Sequence, residues 1–200
     1  KLSPFHLFTL QQLFNTADIA VAGKFISIGA MAAVGSNAPV ISLFISLVVG
    51  LSIGASVLVA AKIGQKKYDA VGTSVQTSMS IALVVGVAMV FLGLLIARPI
   101  LELMAAPEDI IDMAELYLQI YFLGMPFIMI YNFGSAVLRA DGDSRRPLYC
   151  LVVSSLSNLV MDLLFSAVLP WGIAGIALAT TIANGISAGL ILYYLVKEKG

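Results

Sequence analysis

Six apolar runs of about twenty residues or more dominate this 200-residue chain. They extend approximately over residues 2–23, 38–61, 70–97, 116–138, 148–169 and 172–196. A helix rising 1.5 Å per residue needs roughly 20 residues to cross the ~30 Å hydrocarbon layer, and each run meets that length. The runs are too long for barrel strands and lack their two-residue alternation. Helices are then the spanning solution that satisfies every backbone polar group. The expected fold is an all-α, polytopic membrane protein: a single domain, a bundle of six transmembrane helices.

Composition agrees. Sixty per cent of the residues are hydrophobic and 11% are charged, against about 25% charged in a soluble domain. Formal charge is zero and no basic run exceeds two residues, which argues against nucleic acid as a partner. The single cysteine, Cys150, excludes an internal disulfide and reads as packing. There is no G-x-x-x-x-G-K-[ST], H-E-x-x-H or G-x-S-x-G, so an ATP-driven pump and a hydrolase both lose support. No enzyme activity and no cofactor are expected. Lys1 stands where a methionine would begin a chain, and no small-residue cleavage site follows a short apolar core, so a trimmed start is expected rather than a signal peptide.

The connections expected are a Gly/Ala-rich stretch at 29–37, a basic turn at 62–67, an acidic stretch at 102–115, residues 139–147, and Pro170-Trp171. Alternate connections place Lys1, Lys62, Lys66, Lys67, Arg139, Arg145, Arg146, Lys197 and Lys199 on one side, with Lys24 and Arg98 opposite. By the positive-inside rule both termini are expected to be cytoplasmic, in a plasma or inner membrane. Trp171 fits an interfacial anchor. Gly50 with Gly54, and Gly185 with Gly189, have the four-residue spacing of close helix approach.

Asp18 and Asp162 are acids at membrane depth, where a carboxylate costs several kcal/mol unless it has a partner, a proton or water. Asp18 lies roughly 24 Å along its run and Asp162 roughly 22 Å beyond Pro147, measured from the same side. Each stands on a polar stripe: Gln11, Asn15 and Asp18 on the first run, and Ser155, Asn158, Asp162 and Ser166 on the fifth. Thr180, Thr181, Asn184 and Ser187 add polar groups on the sixth run, and Gln119, Asn132 and Ser135 on the fourth, near a kink expected at Pro126. Their oxygens could ligate a cation or simply join helix to helix. An acid able to exchange a proton for Na⁺ or an organic cation is a coupling device. Met79, Met89, Met125 and Met129 read as packing, and His6 as an interfacial residue.

Leu13-Phe14-Asn15-Thr16-Ala17-Asp18, Gly50-Leu51-Ser52-Ile53-Gly54, Gly64-Gln65, Leu138-Arg139-Ala140-Asp141-Gly142-Asp143-Ser144 with Pro147, Asn158-x-x-x-Asp162 and Gly172-Ile173-Ala174-Gly175 occur in order along the chain. In these motifs the sequence resembles the multidrug and toxic compound extrusion (MATE) family. The resemblance implies one half of a twelve-helix fold that exports organic cations or other amphiphiles in exchange for H⁺ or Na⁺ by alternating access. It implies an ion or proton site at Asp18, Asp162, Asn158, Thr180 and Asn132, with Na⁺ possible at the first four. Gln11, Asn15 and Asn184 are candidates for the substrate cavity. A second six-helix lobe, in the same longer chain or a second copy, is the expected partner, besides the bilayer and the transported amphiphile. Other expectations compatible with six polar-striped spans are a flippase for lipid-linked precursors, a non-transport assembly module and, least favoured, an intramembrane aspartyl hydrolase.

Overall fold

The computed structural model describes residues 4–197, and within them the side chains of all but 4–12, 14, 15 and 68. These residues form seven α-helices: α1 (Pro4–Phe25), α2 (Ile28–Gly64), α3 (Tyr68–Leu103), α4 (Ile111–Leu123), α5 (Met125–Ala140), α6 (Arg145–Leu163) and α7 (Gly172–Lys197). A π-helical turn, Leu164–Val168, extends α6, and no strand occurs among the described residues. α4 and α5 form a pair bent by 48°. Counting that pair once gives six helical segments; four helices, and the bent pair as a fifth, are long and apolar enough to cross a bilayer. The chain is an integral membrane protein: Ile81, Val84, Phe91 and Leu95 on α3 are 49–76% exposed, an apolar surface that suits lipid and not water.

Three sequence expectations are corrected. Residues 29–37, expected as a connection, lie inside α2. Ser27 caps that helix, its Oγ accepting from the Ala30 amide at 2.9 Å. The small residues read as a loop instead let neighbours come close: Ala30 and Ala33 are fully buried, and a Cβ at Gly29 would stand 3.3 Å from Met113. The acidic stretch is likewise partly helical, since α4 begins at Ile111 and carries Asp112 and Glu115 in its first turns. Acids at a helix N-terminus meet the positive end of its dipole. Here Arg98 also holds Asp112 at 2.8 Å, Glu115 at 2.9 Å and Glu102 at 3.1 Å.

The third correction concerns glycine. A Cβ at Gly50, Gly54 or Gly189 would meet open space, and one at Gly185 only the Phe127 ring at 3.9 Å. Close approach occurs elsewhere. A Cβ at Gly86 would lie 2.6 Å from the Pro126 Cα, and one at Gly93 would enter the Phe122 ring. α3 therefore lies tightly along the α4–α5 bend. A spacing rule identifies small residues on a helix face but not which face has a partner.

α5 runs through the middle, packed by α2, α3 and α7, while α1 lies on α2 and α6. Met125 and Met129 are fully buried and Met89 joins their apolar core, while Cys150, 1% exposed, packs in a second apolar cluster. They pack, as expected. Trp171 is half exposed and stacks on Phe165 at 4.8 Å, and a kink falls beside Pro126 as expected.

Asn37 pins α2 to α4: fully buried, its Nδ2 donates to the Ala33 and Ala114 carbonyls at 2.9 and 3.0 Å. Asn37→Ala should cost about 1 kcal/mol, the scale of one interhelical hydrogen bond in a membrane protein. Asn37→Asp should cost more, because it buries a carboxylate without a cation. Thermal midpoints of the two purified variants in one detergent check the order.

Candidate functional site

The chain folds back so that the later part of α1, the last turn of α6 and the first half of α7 meet, and there the polar stripes converge. Asp162 is fully buried and Asp18 is 4% exposed. Their carboxyl groups lie within hydrogen-bonding range of each other. Thr180 Oγ1 on α7 stands 3.2 Å from Asp18 Oδ2 and 3.1 Å from its own helix's Ile176 carbonyl, so its single proton serves one or the other. Asn158, one turn before Asp162, donates Nδ2 to Asp162 Oδ2 at 3.0 Å. Asp162 Oδ1 has no donor. The Ser166 hydroxyl, within the π turn, donates to the Asp162 carbonyl.

Four of the five residues expected at an ion or proton site thus come together: Asp18, Asp162, Asn158 and Thr180. Two negative carboxylates at this separation repel strongly in a low-dielectric interior. A proton between them, or a small cation, removes that repulsion. The carboxylates and the Thr180 hydroxyl are hard oxygen donors suited to Na⁺. Asn158 turns its amide hydrogens to Asp162, and so holds the carboxylate in place.

Above the pair opens a cavity of about 110 Å³. Asp18, Asn158 and Thr180 form part of its wall, with Asn132, Asn184, Ser154 and Ser155. Asn132 and Asn184 are therefore cavity residues, and the Asn132 amide donates to its own helix at Ile128 rather than to either aspartate. Gln11 and Asn15, expected beside Asp18, and His6 lie outside the described side chains.

Sequence reasoning missed the aromatic part of the wall. Tyr117 and Tyr121 from α4 and Tyr131 from α5 line the cavity, each 6% exposed or less. The Tyr131 hydroxyl donates to the Pro147 carbonyl at 3.1 Å. A tyrosine in an apolar run looks like packing; the available signal was that a buried hydroxyl needs a partner. Among the described residues, none that lines the cavity is Lys, Arg or His.

The profile of the MatE family matches residues 7–164. The chain belongs to the MatE family. It is similar to the "Probable multidrug resistance protein YpnP" of Bacillus subtilis, 32% identical over 95% of this chain and 43% of that protein. It is also similar to the "Probable multidrug resistance protein YoeA" of the same organism, 31% identical over 95% of this chain and 42% of that protein. A crystal structure of MATE in the bent conformation superposes with a TM-score of 0.90 at 27% identity, covering 96% of this chain and 43% of the other. The MatE chain here thus spans about two fifths of the length of the relatives it matches. It is the chain of a transporter family.

The most specific MatE motif, 138–144, makes the corner between α5 and α6. Gly142 takes the left-handed φ of 93°, a conformation that glycine reaches without penalty, and the Asp143 amide returns to the Leu138 carbonyl at 2.9 Å. Asp143 Oδ1 then accepts from the Arg145 and Arg146 amides at 2.8 and 3.2 Å. One short segment closes one helix and opens the next.

Proposed function

We infer that this chain is one lobe of a secondary active multidrug exporter, antiporting organic cations or other amphiphiles against H⁺ or Na⁺ by alternating access. The observation that carries the reading is the buried Asp18–Asp162 pair, with Asp18 in the wall of a tyrosine-lined cavity. When the pair holds a proton or Na⁺ its charge falls, and an organic cation in the cavity loses its counter-charge. When the ion leaves, the charge returns. Ion and substrate thereby compete for the same carboxylates, which is the requirement for exchange.

A second six-helix lobe would complete the pathway, and the lysine- and arginine-rich helix ends would face the cytoplasm. A flippase of lipid-linked precursors would need cations to hold an anionic headgroup, and the described residues that line the cavity include none. The test uses the complete transporter in proteoliposomes. A fluorescent organic cation should move against an imposed H⁺ or Na⁺ gradient and stop when that gradient is collapsed. Movement indifferent to both gradients would overturn the antiport.

A further inference from the structure

We propose that the basic end of the bundle is a binding surface for the headgroups of anionic phospholipids, centred on the α2–α3 turn and the α5–α6 corner. These two connections and the end of α7 come together around one apolar cluster that includes Val59, Val75, Leu138, Cys150 and Leu195. Around its rim stand seven cations: Lys62, Lys66, Lys67, Arg139, Arg145, Arg146 and Lys197. The three described carboxylates at this end are Asp69, Asp141 and Asp143. Asp143 is already engaged, capping α6 and pairing with Arg146 at 3.1 Å. Among the described residues no ion pair joins a carboxylate to Lys62, Lys66, Lys67, Arg139, Arg145 or Lys197.

The opposite end is arranged differently. Two cations, Lys24 and Arg98, face five carboxylates, and Arg98 is held by three of them. Among the described residues, the cations without an ion pair are therefore gathered at this end, Lys24 apart. Arg139 strengthens the assignment, since it is half-buried in the last turn of α5 and its charge acts on the Tyr131 hydroxyl. A guanidinium withdrawn from water without a carboxylate calls for another anion. Aromatic rings stand at the same level: Arg146 lies 5.4 Å over Tyr194 and Lys197 lies 5.9 Å over Tyr193, and Tyr149 is 59% exposed. Rings and cations at one depth mark a headgroup layer, and a phosphodiester supplies the missing negative charge. The proposal stands apart from the coupling reading, because no residue of the aspartate site takes part.

The test uses the complete transporter in nanodiscs mixed from phosphatidylglycerol and phosphatidylcholine, with retained lipid counted by native mass spectrometry. The parent should keep phosphatidylglycerol in preference. The Lys62→Gln/Lys66→Gln/Lys67→Gln variant should lose that preference, by roughly fivefold for each cation removed. Lys24→Gln, at the opposite end, should behave as the parent. Equal thermal midpoints in pure phosphatidylcholine would show that the triple variant is folded. Undiminished preference in the triple variant carrying Arg145→Gln as well would overturn the proposal, and so would displacement of the lipid by inorganic phosphate alone.

Discussion

Asp162→Asn in the complete transporter should abolish gradient-driven export, reducing the initial rate by about tenfold or more while the protein still inserts and folds. The side chain keeps its shape, and an amide oxygen at position 162 still accepts from Asn158, now 3.0 Å from Asp162 Oδ2. What disappears is the ability to exchange a proton or Na⁺. Asp18→Asn should give the same loss, because the two carboxyls meet in one site, Asp18 beside Thr180 and Asp162 beside Asn158. The double variant should be little worse than either single one, as expected of groups acting as a unit. Dye efflux from proteoliposomes under an imposed H⁺ gradient, and separately a Na⁺ gradient, measures all three. Efflux at the parent's rate and with its ion dependence would place coupling elsewhere.

Gly93→Ala should be strongly destabilising for the addition of a single methyl. Phe122 is 1% exposed and packs edge-on against Phe44 at 4.9 Å, so its ring is held from the far side while the α3 backbone at Gly93 supports the near side. An added Cβ enters that ring. Either Phe122 leaves its rotamer or α3 moves away from α4, at a cost of about 1–3 kcal/mol. Phe122→Ala costs packing on its own but removes the clash, so the double variant should be more stable than the two single losses together require. Unfolding midpoints of the four proteins in one detergent decide this. Additive losses would show that the ring and the glycine do not confront each other.

Charge made the centre of the site legible in the sequence. Asp18 and Asp162 stood out because an acid at membrane depth is costly, and Asn158 followed from helical spacing. Helix type and the approximate number of segments were legible because hydropathy alone constrains them. The aromatic wall was not legible, because Tyr117, Tyr121 and Tyr131 differ from packing residues only by hydroxyls whose partners are remote in the chain. Asn37 was hidden for a related reason: it sits in a run of small residues that reads as a loop in water and as a contact helix in a bundle. The glycine pairs misled because a pattern along one helix carries no information about its neighbour.

The bend at Gly124 separates two properties of the cavity. Tyr117 and Tyr121 are carried on the short helix before it and Tyr131 on the helix after it, whereas both aspartates belong to α1 and α6. A change in that one angle would alter the aperture between the rings while leaving the helices of the ionisable pair, α1 and α6, as they are. On the antiport proposed above, the pocket would then be refitted to guests of different girth by one hinge angle, without retuning the groups proposed to meet the coupling ion.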